Sequence, residues 1–111
     1  MRVLVCGGRD YSDLDKVIAI LDTIQPSSII EGGAQGADSL ARQWAILRDV
    51  DRRSFYADWS RDGKAAGPIR NQRMLDEGRP DLVVAFPGGG GTADMVRRAE
   101  RARIRVVRVH A

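Results

Sequence analysis

Leu82-Val83-Val84-Ala85-Phe86-Pro87-Gly88-Gly89-Gly90-Gly91-Thr92 is an apolar, β-branched run that breaks into four glycines and a threonine. The run has the length and composition of a buried strand, and a helix is expected from about Thr92 to Arg101, so the stretch reads strand, glycine turn, helix. The same signature occurs twice upstream. Arg2 to Cys6 leads into Gly7-Gly8-Arg9-Asp10, and Ser28 to Glu31 leads into Gly32-Gly33-Ala34-Gln35-Gly36. Nine of the 12 glycines therefore fall in three clusters, each after a candidate strand.

Two further runs, Arg53 to Ala57 and Ile104 to Val109, bring the expected strands to five. Helical spacing fills the gaps. Leu14, Val17, Ile18, Leu21 and Ile24 follow the i, i+3, i+4 rule, with Ser12 and Asp15 as a capping pair and Pro26 as the stop. A second helix reads from about Ala37 to Arg48, with Trp44 on its core side. A third begins at Pro68, a favoured first-turn residue, and ends before Gly78 and Pro80. Strands alternating with helices predict βαβ units. The expected fold is α/β: a Rossmann-like three-layer sandwich with a five-stranded, mostly parallel sheet. At 111 residues this is one domain, residues 1–111, and 43% hydrophobic residues suffice for a core and exclude disorder.

The net charge of +3 sums 18 basic and 15 acidic residues, a mild bias towards anionic ligands. Arginines accumulate at Arg97, Arg98, Arg101, Arg103, Arg105 and Arg108, which reads first as a solvated helix and edge-strand face and second as a start towards a DNA-binding surface. The lone Cys6 excludes an internal disulfide and is expected to be buried and inert. No cluster has metal-ligand spacing, so no metal is expected. With no signal-peptide shape and no apolar stretch of bilayer-spanning length, the expected location is the cytoplasm.

In open parallel sheets ligands sit beyond the carboxyl ends of the strands, where the three glycine turns would meet. Glycine lets a phosphate approach backbone N–H groups, and a helix opening after the turn adds unpaired amides and partial positive charge. Pro87, Gly88, Gly89, Gly90, Gly91 and Thr92 satisfy both conditions, and four glycines in a row are entropically costly for a turn of structural use alone. Gly32, Gly33, Ala34 and Gly36 repeat the arrangement, with Asp38 either bonding a ribose hydroxyl or making a charge–dipole contact in the first helical turn. In the first turn, Gly7 and Gly8 precede Arg9, which can hold a phosphate or pair with Asp10 or Asp13. The pattern is neither a G-x-G-x-x-G nor a Walker fingerprint, which disfavours hydride transfer and ATP hydrolysis.

Taken with Gly67-Pro68-Ile69-Arg70-Asn71-Gln72-Arg73-Met74, the Pro87–Thr92 and Gly32–Asp38 motifs resemble the SLOG superfamily, and within it the YspA-like, YpsA-related branch. That superfamily includes the Lonely Guy phosphoribohydrolases and the DNA-processing Smf/DprA proteins, and other members are thought to sense nucleotide-derived signals. The resemblance implies a nucleotide ligand with no further cofactor. It also implies a homodimer, because the look-alike hydrolases pair through helices near the site. The hydrolase pattern P-G-G-x-G-T-x-x-E is matched except that Met95 stands at the glutamate, and R-K-x-x-M is matched by Arg70 and Met74 with Asn71 at the lysine. Methionine neither gives nor takes a proton, so hydrolysis by that mechanism is in doubt.

Arg70 and Asn71 stay as expected ligand contacts, the alternative for Arg70 being an exposed helix arginine. Arg70, Asp38 and Asp94 are the candidate catalytic groups, although Asp94 lies ~100° around the helix from position 95. The polar stretch from Asp58 to Gly67 is either a flap, with Trp59 stacking on a base and Lys64 meeting a phosphate, or a surface connection. Nucleotide binding or sensing is the first reading, and N-glycosidic or phosphoester cleavage is the second. Single-stranded DNA binding is the third, and is disfavoured because the aromatics are not interleaved with basic residues.

Overall fold

Along the first strand, β1 (Arg2–Cys6), Val3 and Val5 face one side while Leu4 and Cys6 face the other, and all four are buried. A strand covered on both sides needs two layers of helix, and the chain supplies them. α1 (Leu14–Ile24), β2 (Ser28–Glu31), α2 (Ala37–Leu47) and β3 (Asp51–Ser54) follow in order. Then come a one-turn helix α3 (Trp59–Asp62), a 3₁₀ turn (Gly63–Ala65), α4 (Ala66–Asp76), β4 (Leu82–Ala85), α5 (Gly90–Arg101) and β5 (Arg105–Arg108). This computed structural model describes residues 1–111.

The strands lie in the order β3-β2-β1-β4-β5 and every pairing is parallel. The sheet is thus wholly parallel, as the α/β reading requires. Val3, Val5, Ile29, Leu82, Val84 and Phe86 pack with Val17 and Leu21 of α1 and Ala41 and Trp44 of α2 on one face. On the other face Leu4, Cys6, Ile30, Val83 and Ala85 pack with Met74 and Leu75 of α4 and Met95 and Ala99 of α5. Strand order reverses between β1 and β4, because the chain moves outward from β1 through β2 to β3 and then returns to β4. That reversal opens a crevice above their carboxyl ends.

Several expected boundaries move. The cap of α1 is Asp13, whose carboxylate accepts from the Lys16 N–H at 3.0 Å, and not the Ser12/Asp15 pair. The third strand lies two to three residues earlier than expected, because its register with β2 ends at Glu31↔Ser54, after which Phe55 turns into the core. α4 starts two residues before Pro68, which still occupies the first turn. α5 starts at Gly90, two residues before Thr92, so half of the glycine run is helical. The connection from Asp58 to Gly67 contains α3, whose first N–H groups are capped by Asp58, and the 3₁₀ turn. Both edge strands are largely solvent-facing, with Arg52 and Arg53 exposed on β3 and Arg105 and Arg108 on β5. No helix is long and apolar enough to cross a membrane.

Candidate functional site

The three glycine turns interlock above the crevice. The Gly8 N–H donates to the Pro87 carbonyl at 2.8 Å, and the Gly8 carbonyl accepts from the Ala37 N–H at 3.1 Å. Gly36 has φ +75° and its α-carbon faces the Gly8 and Arg9 carbonyls, so a side chain there would be both strained and blocked. At Gly88 a β-carbon would strike the Thr92 hydroxyl and the Gly8 nitrogen. Gly7 is similarly closed in by Ala37 and Phe86. These contacts set the turns at Gly7-Gly8, Gly32–Gly36 and Pro87–Thr92 side by side at one edge of the sheet.

The turns differ in what their amides do. After β2, the Gly32 and Ala34 N–H groups donate to one oxygen of Asp38, at 3.1 and 3.2 Å, and the Gly33 N–H donates to Glu31. This turn is closed by the chain's own carboxylates. After β4 the situation is the reverse: the N–H groups of Gly88, Gly89, Gly90, Gly91 and Thr92 meet no acceptor of the protein, and α5 has no side-chain cap. Ala93 is the first residue there to donate, to Gly89 at 3.0 Å. Around Gly89, Gly90 and Gly91 there is open space where a β-carbon would go, and none has a positive φ.

Two residues of α4 bridge these turns. The Arg70 guanidinium lies against Gly32 and donates from Nη1 to its carbonyl, while Nε donates to the Asn71 amide oxygen at 3.1 Å. Buried Asn71 in turn donates to Asp94 at 3.0 Å and to the Gly91 carbonyl at 3.3 Å. Asp94 also accepts from Arg98 Nε at 2.8 Å. Burial works to raise the Asp94 pKa, but the hydrogen bonds from Arg98 and Asn71 outweigh it and hold the carboxyl below its ordinary value. Burial prevails at Asp38, where it lifts the carboxyl to about 6 against the opposing pull of the Ala34 N–H, with the nearby Glu31 charge adding to the rise.

Arg9 is exposed at the rim and pairs with neither Asp10 nor Asp13. Trp59 and Lys64 are exposed on the connection before α4, and the Trp59 ring approaches Gly67. Met95 is fully buried among Leu4, Cys6 and Val83, so the position of the look-alike hydrolases' glutamate points into the core. Burial, with the Asp38 charge adding to it, pushes the Cys6 thiol up to about 12.

Residues 1–61 match the family model described as YspA, cpYpsA-related SLOG family. The chain belongs to that family. The match spans β1 to α3 and so takes in the first two glycine turns, while the third turn and α4 lie beyond it. A relative, the gene 61 protein of Mycobacterium phage D29, is 37% identical over 118 residues, which cover 96% of this chain and 94% of that protein. Membership of the SLOG family carries a nucleotide-related expectation.

Two residues of that edge escaped the sequence reading. Glu31 is wholly buried at the end of β2. Besides the Gly33 N–H it accepts from Arg42 at 2.9 Å and from the Ser54 hydroxyl. An acidic residue closing an apolar strand was the available signal. Tyr56, read as strand interior, instead turns outward over Gly33. Two concavities lie away from the glycine turns. One, of about 380 Å³, is bounded by Asp22, Trp44 and Arg48, and the other, of about 400 Å³, by Pro68, Ile69 and Arg98. The glycine turns form an open shelf on which the unpartnered amides of Gly88–Thr92 converge.

Proposed function

We propose that this protein binds a nucleotide or nucleotide-derived ligand, seats its phosphate on the N–H groups of Gly88–Thr92, and works as a binding or sensing protein without hydrolysing it. One observation carries the reading: Gly90 and Gly91, in the first turn of α5, need neither glycine's conformational range nor its small size for the protein's own packing, whereas Gly89 before them takes a backbone conformation that favours glycine. Two side chains are missing where only a molecule from outside would occupy the space. The amides left bare there, with the N-terminal partial charge of α5, suit an anion. Thr92 and Arg9 stand ready as further phosphate donors, and Arg70 keeps Nη2 free for one.

The absence of turnover is supported by two residues. Met95 has no proton to offer and is enclosed in the core. Asp94 is held ionised by Arg98 and Asn71 and so is a poor acid. A second reading, N-glycosidic cleavage, draws on Asp38, whose carboxyl at about 6 is partly protonated near neutrality. Incubation with nucleoside mono-, di- and triphosphates and ADP-ribose, followed by mass-detected chromatography of free base and retained ligand, decides between them. Retention of an intact nucleotide is the expected result, and base release abolished by Asp38→Asn would establish the second reading.

A further inference from the structure

We infer that Tyr56 and Trp59 form the platform on which the base of the ligand stacks, an inference that rests on the phosphate assignment just proposed. The chain has six aromatic residues. Phe55, Phe86 and Trp44 are buried, and Tyr11 packs on Phe86 with ring centroids 5.2 Å apart. Only Tyr56 and Trp59 point outward, 65% and 60% exposed, and both follow β3 at the edge of the sheet that carries the glycine turns.

Their seats are specific. The Tyr56 ring lies where a side chain on Gly33 would be, and the tip of the Trp59 indole is 3.4 Å from where a β-carbon on Gly67 would stand. Gly33 has φ +71° and Gly67 is buried in the first turn of α4, so two glycines give the rings room to lie close to the backbone. Arg70 is one turn beyond Gly67 on the same face of α4 and covers Gly32. The Tyr56 ring and the Arg70 guanidinium therefore flank the Gly32–Gly33 turn, and Trp59 lies against α4 one helical turn before Arg70.

The span fits one nucleotide. Gly33 follows β2, which lies two strand positions from β4, or roughly 10 Å at about 4.8 Å per spacing. In a nucleoside 5′-phosphate, phosphorus and glycosidic nitrogen are separated by six bonds, roughly 6 Å in reach at ordinary bond lengths, and the base extends beyond that. With its phosphate on the start of α5, the base arrives beside Tyr56. Stacking is tolerant of base identity because every base presents a π-face.

Calorimetric titrations of wild type, Tyr56→Ala, Trp59→Ala, Tyr56→Phe and Trp59→Phe with the mono- and diphosphates of all four nucleosides, and with pyrophosphate, test this. Each alanine variant is expected to lose roughly tenfold or more in affinity for the nucleotides that wild type binds. The phenylalanine variants retain most of that affinity, and pyrophosphate binds all five proteins alike. Alanine variants that bind nucleotide like wild type overturn the inference. If their mass by light scattering also falls, the pair instead faces a second copy of the chain. Equal loss of nucleotide and pyrophosphate affinity also overturns it, since the rings would then act on the shelf as a whole. A wild type that binds pyrophosphate but no nucleotide removes the base platform and leaves an anion site, and one that binds neither removes both.

Discussion

Asp38 bonds two amides with a single oxygen, Oδ2, so an asparagine carbonyl can take over both. The variant Asp38→Asn therefore keeps the turn and loses only the titration. In the wild type the folded carboxyl takes up a proton near pH 6, whereas the unfolded one does so near 3.8. The folded state binds more protons in that window, so this group's contribution to stability is complete below about 3.8 and is lost as pH rises through 6. Urea midpoints measured from pH 4 to 7 are expected to show that slope in wild type and a flatter one in Asp38→Asn. Glu31 is a different case because both of its oxygens are engaged. Glu31→Ala strands the Gly33 N–H, the Ser54 hydroxyl and part of Arg42, and should cost about 2–4 kcal/mol in chemical denaturation, with Glu31→Gln milder. Neither role was legible from the sequence. Asp38 was identified as a candidate, but its partners and the burial behind its shift come from the packing of α2 on the turn.

The first turn of α5 combines a poor start for a helix with an open surface. Replacing Gly90 or Gly91 by alanine meets no atom of the protein and improves helix propensity, so thermal stability should rise, by up to about 1 kcal/mol. Nucleotide affinity should fall at the same time, and a variant that gains stability while binding as before would contradict the phosphate assignment. α4 is tied to both turns through Asn71, and Asn71→Ala should destabilise by about 1–3 kcal/mol in denaturant titration, because Arg70 and Asp94 each lose a partner. The sequence reading of elements succeeded where burial writes a pattern. β1 and β2 fall at their expected residues because their apolar runs are central strands covered on both faces. It slipped at β3, since an edge strand made of Asp51, Arg52, Arg53 and Ser54 has no apolar run to read. It missed α3, whose four residues are too few to display a helical period and which relies on its Asp58 cap. The glycine run concealed the start of α5 because glycine looks the same in a turn and in a first helical turn.

Across the whole molecule the two packed faces share the one sheet, and Cys6 marks the middle of it. Its thiol is buried, with its pKa raised to about 12, so reaction with a thiol reagent needs an opening that separates β1 from α5. Labelling in native buffer should be slow, and its rate should climb with urea in step with the loss of far-ultraviolet circular dichroism. Fast labelling before that transition would mean that the α4–α5 layer opens independently of the rest. The arginines of the two outer strands have a consequence in concentrated solution. A five-stranded sheet left open at both sides presents two rows of backbone groups on which a strand from another molecule could be templated. Arg52 on one border and Arg105 on the other have no carboxylate partner and place like charges wherever two such borders come together, while Arg53 and Arg108 beside them are paired with Glu77 and Glu100. Fibril growth by strand addition is thereby opposed from both ends of the sheet, and the molecule can leave its borders uncovered without polymerising.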